Sequence, residues 1–281
     1  MVLEELITPF MAEKKPWELF FYAILVTVVA IVLSFMIFRQ NNGLVMLFLI
    51  VIACIPLMYK TLKWEEKKDV TIKRVVPLLT EHSKVIMFLT FLFLGLIVAF
   101  TLLYVFLPLN VVIKVFDVQT KIMFYPGGVS GSSTTFTYFK AIFFNNIRVT
   151  IFSFLLAFLY GTGAVFIFTW NASLIGVAIG NLIRYRLNEI MVKVGFISMS
   201  NYFHIFSIGF LRYITHGVLE MIAYFIGGLA GGIVSVAVIN HDIGTHKFDQ
   251  IVQDSSFLFV LSLIILLVAA FVEVYFSFKI V

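Results

Sequence analysis

The 281-residue chain is 62% apolar and only 12% charged, with a mean hydropathy of +1.07. So little polar surface cannot cover a water-soluble globule of this size, which excludes a soluble domain and points to a bilayer as the partner. A net charge of +5 would suit nucleic acid in a soluble protein, but here the basic residues cluster beside apolar runs, where they set orientation, and no nucleic-acid partner is expected.

Taken in chain order, Glu4, Glu5, Glu13, Lys14 and Lys15 precede a first apolar run from Trp17 to Phe38, and no small-residue cleavage pattern follows it. It reads as a retained span and not as a signal peptide. The second run, Leu44 to Tyr59, holds Cys54, the single cysteine, so an intrachain disulfide and a thiolate metal site are excluded. Lys60, Lys63, Lys67, Lys68, Lys73, Arg74 and Lys84 follow, against only Arg39 in the preceding loop, so the positive-inside bias places this segment and the N-terminus in the cytoplasm. Val85 to Leu107 is the third span and leads outward to residues 110–140, whose Pro126-to-Thr135 stretch is a flexible polar connection.

A fourth span is expected over Phe144 to Phe168, ending near Trp170 and Asn171. Ala172 to Ile183 is apolar but too short to cross comfortably at 1.5 Å of rise per residue, because a core of about 30 Å needs roughly 20 residues. Arg184 to Met199 is amphipathic, with Leu187, Ile190, Met191 and Val194 opposite Arg184, Asn188, Glu189 and Lys193, and suits the cytoplasmic interface. From Tyr202 to Ile239 the chain stays apolar, yet Arg212, Thr215, His216, Gly217 and Glu220 interrupt it, which predicts a broken helix with its span at Gly217 to Ile239. Asn240 to Asp254, poor in lysine and arginine, fits the outside, and Ser256 to Phe278 returns the C-terminus to the cytoplasm. Strand alternation is absent from these runs, so the expected class is an all-α polytopic transmembrane bundle of about six spans plus short re-entrant or interfacial helices. Three regions follow: three spans in 1–108, an extracytoplasmic loop at 109–143, and a second membrane domain at 144–281.

His216 and Glu220 are four residues apart and share a helix face with Ala223, Gly227 and Gly231. Glycines four apart, Gly227 with Gly231 and Gly228 with Gly232, let another backbone approach closely, so a neighbouring helix is expected against that face. Glu220 lies 20 residues before Asn240 and Glu273 lies 19 after Asp254 (240 − 220 and 273 − 254), so both sit roughly 30 Å from the connecting loop of an antiparallel hairpin. Three readings of His216, Glu220 and Glu273 stand open: a packing network neutralised by Arg212 or Lys279, a polar cavity for a solute, ion or proton, or a divalent metal site. Asn171 is placed on the same side as Glu220, and Gly161, Gly176 and Gly180 add further packing positions. No Gly-rich phosphate loop and no paired nucleophile and base are present, so neither enzymatic chemistry nor a cofactor is expected.

Asn145-Asn146, Gly161, Asn171 with Gly176, the run His216-Gly217-Val218-Leu219-Glu220 with Ala223 and Gly227-Gly228, and Ala269-Ala270-Phe271-Val272-Glu273 resemble the stage II sporulation protein M family over Phe139 to Val281. Thr215 stands where that family usually has proline before the histidine. The resemblance implies an integral membrane protein that works with membrane or extracytoplasmic protein partners, in sporulating bacteria with peptidoglycan-degrading ones during engulfment. A scaffold or assembly factor in the cell membrane is therefore the leading expectation, with homo-oligomerisation open, and a channel or secondary transporter is the rival.

Overall fold

The computed structural model describes residues 15–38, 41–71, 75–124, 135–160, 163–240 and 243–275, with side chains left out at 64–71, 75–82, 123–124 and 212–216. These residues form helices α1 Glu18–Ile37, α2 Asn42–Thr71, α3 Val75–Phe106, α4 Leu109–Val115, α5 Asp117–Phe124, α6 Thr135–Tyr160, α7 Ala164–Val194, α8 Met199–Ile239 and α9 His246–Tyr275, with no strand among them. The all-helical class is as expected.

Among the described residues seven stretches are long and apolar enough to cross a membrane: Glu18–Ile37, Asn42–Lys63, Ser83–Phe106, Thr135–Tyr160, Ala164–Val194, Gly217–Ile239 and His246–Tyr275. The sequence reading counts about six spans and differs from this at one place. Its fourth span, Phe144 to Phe168, runs across a break between Tyr160 and Ala164, where the chain reverses. Ala172–Ile183 and the amphipathic Arg184 stretch are not separate short helices but continuous parts of α7, which ends at Gly195 in the left-handed conformation, φ 80°. Likewise the backbone of α8 is helical through residues 212–217, so the predicted break there is absent. Ser198 caps α8, accepting from the Asn201 N–H at 3.3 Å, while its own N–H donates to Asn201 Oδ1 at 2.9 Å.

Contacts fix the helix directions. Tyr22 donates to the Ala53 carbonyl at 2.8 Å and Ser34 to the Asn42 carbonyl at 2.7 Å, so α1 and α2 form an antiparallel hairpin. Gly176 and Gly180 of α7 face Phe100 and Tyr104 of α3, so those helices run parallel, whereas Phe168 meets Phe225 and Ile175 meets Gly217, so α7 and α8 run antiparallel. The C-terminal half of α7 therefore lies at the end of the bundle where α3 finishes. Arg184 shows it directly: its guanidinium donates to the Val105 carbonyl at 3.2 Å and to the Leu107 carbonyl, among the last carbonyls of α3 that have no helical donor.

This corrects two placements. Arg184–Met199 and the segment 107–119 share one end of the bundle, so the amphipathic stretch is not on the opposite side from residues 110–140. The loop after α8 stands at the other end, where Leu62, Val85, Ala164 and Gly228 come together, so it shares the end of the basic segment that follows α2. The long turn expected at 109–143 is also partly helical, since α4, α5 and the start of α6 fall inside it. Glu18 and Tyr275 stand at opposite ends of seven alternating helices, whereas six crossings would have brought the termini to one side.

Apolar packing is continuous from the first three spans into the rest: Phe225 of α8 receives Phe93 of α3 and Phe168 of α7 edge-on, at 5.9 and 4.6 Å between ring centroids. Outward faces are apolar too, with Phe21, Leu25 and Val29 of α1 and Val260, Ile264 and Phe271 of α9 exposed. Exposed apolar faces of this extent are costly in water and stable in lipid.

Candidate functional site

Glu220 stands in the first turns of the Gly217–Ile239 span. An ionisable group there is costly to leave unpartnered, by a few kcal/mol on insertion scales, so its neighbours decide what it does. Three helices supply them. Asn146 of α6 donates its side-chain amide to Glu220 Oε1, and Tyr224, one turn along α8, donates its hydroxyl to Asn146 Oδ1 at 2.8 Å. From α9, the Glu273 carboxyl hydrogen-bonds that of Glu220.

The backbone around the cluster explains why these helices lie so close. Thr150 Oγ1 returns to the Asn146 carbonyl at 3.0 Å, and Ser153 of α6 donates to the Tyr224 carbonyl at 3.3 Å. Below Glu220 the glycines face α6: a methyl group on Gly227 would lie 2.8 Å from Thr150 Cγ2, one on Gly228 would lie 2.9 Å from Ser153 Oγ, and one on Gly231 would run into the Phe154 carbonyl. The spacing 146 to 154 against 220 to 231 rises together, so α6 and α8 run parallel. A neighbour against the glycine face was expected, and α6 is that neighbour. The last span, α9, instead contributes Ser262, 3.6 Å from the same Gly227 position, and Glu273.

The expected pairing of Glu220 with Glu273 is present. Asn171 is not brought to it by any hydrogen bond: its amide donates to the Ile167 carbonyl of its own helix at 2.8 Å. Side chains of His216 and Arg212 lie outside the described residues, as do Gly161 and Lys279. Gly176 packs on Phe100 of α3 and makes no contact with the cluster, although its neighbour Ile175 reaches Gly217 of α8. The residues the sequence reading did not assign to the cluster are Asn146 and Tyr224. The Asn145-Asn146 pair opening a span was visible as a polar set, yet which helix it faced depended on the turn after Tyr160, and a lone tyrosine in an apolar span carries no signal.

Among the described residues no group of three or more His, Cys, Asp or Glu side chains is placed to hold a metal ion. An apolar groove of about 210 Å³ opens between α3, α7 and α8, but it is lined by residues such as Leu102, Val105, Ile183 and Phe203 and includes neither Glu220 nor Glu273.

A family model described as Stage II sporulation protein M matches residues 23–278. The match reaches back through the first three spans, well beyond the motifs between Phe139 and Val281. Neither a curated protein nor a solved structure matches the chain.

Proposed function

Because the chain belongs to the stage II sporulation protein M family, we propose that it is a non-enzymatic scaffold of the cell membrane that organises partner proteins in the bilayer. One observation carries this reading: the acid pair is engaged by Asn146 and by its own partner carboxyl, where three helices join and where glycines below it hold α6 and α8 in close contact. A transport site needs an open path to the ionisable group, whereas a fully satisfied polar network fixes one arrangement of helices. The cluster then serves to hold α6, α8 and α9 in a single geometry, and the outward apolar faces of α1 and α9 are what the scaffold offers to lipid and to membrane-embedded partners.

Orientation follows from the basic segment after α2. With Lys60 and Lys63 inside, the Glu18 end is cytoplasmic, the loop between α8 and α9 is cytoplasmic, and the Tyr275 end is extracytoplasmic. Photo-reactive side chains at Val29, Ile264 and Phe271 test the scaffold role in native membranes. The same protein partner should be captured reproducibly from at least one of these positions; lipid adducts alone at all three would overturn it.

A further inference from the structure

The start of α2 and the junction of α4 with α5 meet at the end of the bundle opposite the basic segment, and side-chain oxygen atoms without donors gather there. Measured from the point where a methyl group on Gly43 would lie, the Val115 carbonyl oxygen is 3.0 Å away, Asp117 Oδ1 3.0 Å and Gln119 Oε1 3.1 Å. Both side-chain oxygens are buried and make no hydrogen bond, and so is Asn42 Oδ1 on the adjoining residue. Gln119 is wholly buried and Asn42 is 3% exposed.

Buried acceptors without donors are rare, because each forfeits its hydration. Converging acceptors also repel one another, one of them bearing a full negative charge. The first turn of α2 does not relieve this: the Leu44 and Val45 N–H groups go to the Asn41 carbonyl, both at 3.1 Å. Nor does turning the Gln119 amide round. Its Nε2 donates to Ser173 Oγ at 3.3 Å, and that hydroxyl already donates to the Trp170 carbonyl at 2.7 Å, so an oxygen in place of Nε2 would face a second acceptor. Lys121 reaches only the other carboxylate oxygen, Asp117 Oδ2, at 3.7 Å, from a side chain that is 73% exposed.

We propose that Asp117 Oδ1, Gln119 Oε1 and the Val115 carbonyl, with Asn42 Oδ1 beside them, bind one hard monovalent cation such as Na⁺. All the ligands are oxygens, which suits a hard ion and not a soft one. One carboxylate among neutral oxygens balances a single positive charge, and a side chain at position 43 would crowd all three oxygens, at 3.0 to 3.1 Å. The cation ties the first hairpin to α5 and, through Gln119 and Ser173, to α7. It is independent of the Glu220 cluster.

The test uses the purified full-length chain, with Na⁺ exchanged for choline at constant ionic strength. Thermal stability should rise saturably with Na⁺, and ²²Na⁺ equilibrium dialysis should give one ion per chain. Asp117→Asn and Gly43→Ala should each abolish that binding, Glu220→Gln should leave it intact, and Asn42→Asp, by adding a charge beside the ligand set without removing a donor that Ser173 receives, should tighten it about tenfold. Absence of saturable Na⁺ binding in the wild-type chain would overturn the site, as would binding that survives both Asp117→Asn and Gly43→Ala. Because Asn42→Asp predicts a gain, failure of the other variants to fold still leaves a decisive reading: unchanged or weaker binding in that variant contradicts the proposal.

Discussion

The Tyr224 hydroxyl donates to the Asn146 side-chain oxygen across 2.8 Å, and the same asparagine gives its amide to Glu220. One side chain of α6 thus satisfies two side chains of α8 a turn apart. Removing it strands both, and a buried polar group left unpaired costs about 1–3 kcal/mol. Asn146→Ala should therefore lower the stability of the protein in detergent by about that amount or more. Its effect should also be non-additive with Tyr224→Phe, the double variant losing less than the sum, as expected of groups in one network. Additive losses would mean that the two residues act separately.

Glycine at 231 is required by a backbone atom. Because a methyl group there meets the Phe154 carbonyl, which cannot rotate away as a side chain could, Gly231→Ala should cost about 1–3 kcal/mol and loosen α6 from α8. Gly217 is the internal comparison, since among the described residues a methyl group on it would have only Ile175 Cδ1 as a neighbour, at 3.8 Å. Gly217→Ala should be neutral or stabilising, alanine being the better helix former by ~1 kcal/mol. Thermal unfolding of the two variants side by side checks the difference.

Single cysteines placed at 220 and 273 in a Cys54→Ala background should form a disulfide on mild oxidation, since the two carboxyl groups they replace touch. Pairs of 220 with 266, about two turns earlier on α9, should not. Equal cross-linking of both pairs would show that α9 does not hold the register described.

Orientation is open to membrane-impermeant thiol labelling of single-cysteine variants. Cysteines at Lys114 and Gly195 should label from outside intact cells, and one at Gly244 only after the membrane is breached. Labelling of Gly244 together with Lys114 from one side would restore a six-crossing arrangement.

Much of this architecture is written in local chemistry and some of it is not. Apolar length alone marks the spans at Glu18–Ile37, Ser83–Phe106 and Gly217–Ile239, and the four-residue spacing of Gly227 and Gly231 marks a close helix contact. Equal distances from a shared loop place Glu220 against Glu273 without any tertiary information. The connection from α6 to α7 is different. Gly161, Thr162 and Gly163 lie in an unbroken apolar context, and glycine in a membrane span is as often a packing residue as a breaker. Reading through it joined the end of α6 to the start of α7, cost one crossing, and put the Arg184 stretch and the 240–254 loop at the wrong ends. It also hid Asn146, which reaches Glu220 only because α6 runs parallel to α8. The Gly43 oxygens were illegible for a related reason: Asn42 and Gln119 are distant in sequence, and no motif links them.

The central claim is that the Glu220–Glu273 pair is a fixed part of a scaffold and moves nothing across the membrane. Proteoliposomes holding the purified chain, loaded with a pH-sensitive dye and subjected in turn to proton, Na⁺ and K⁺ gradients, measure this most directly. The account predicts dissipation no faster than in protein-free vesicles, for the wild type and for Glu220→Gln alike. A saturable flux in the wild type that Glu220→Gln abolishes would contradict it.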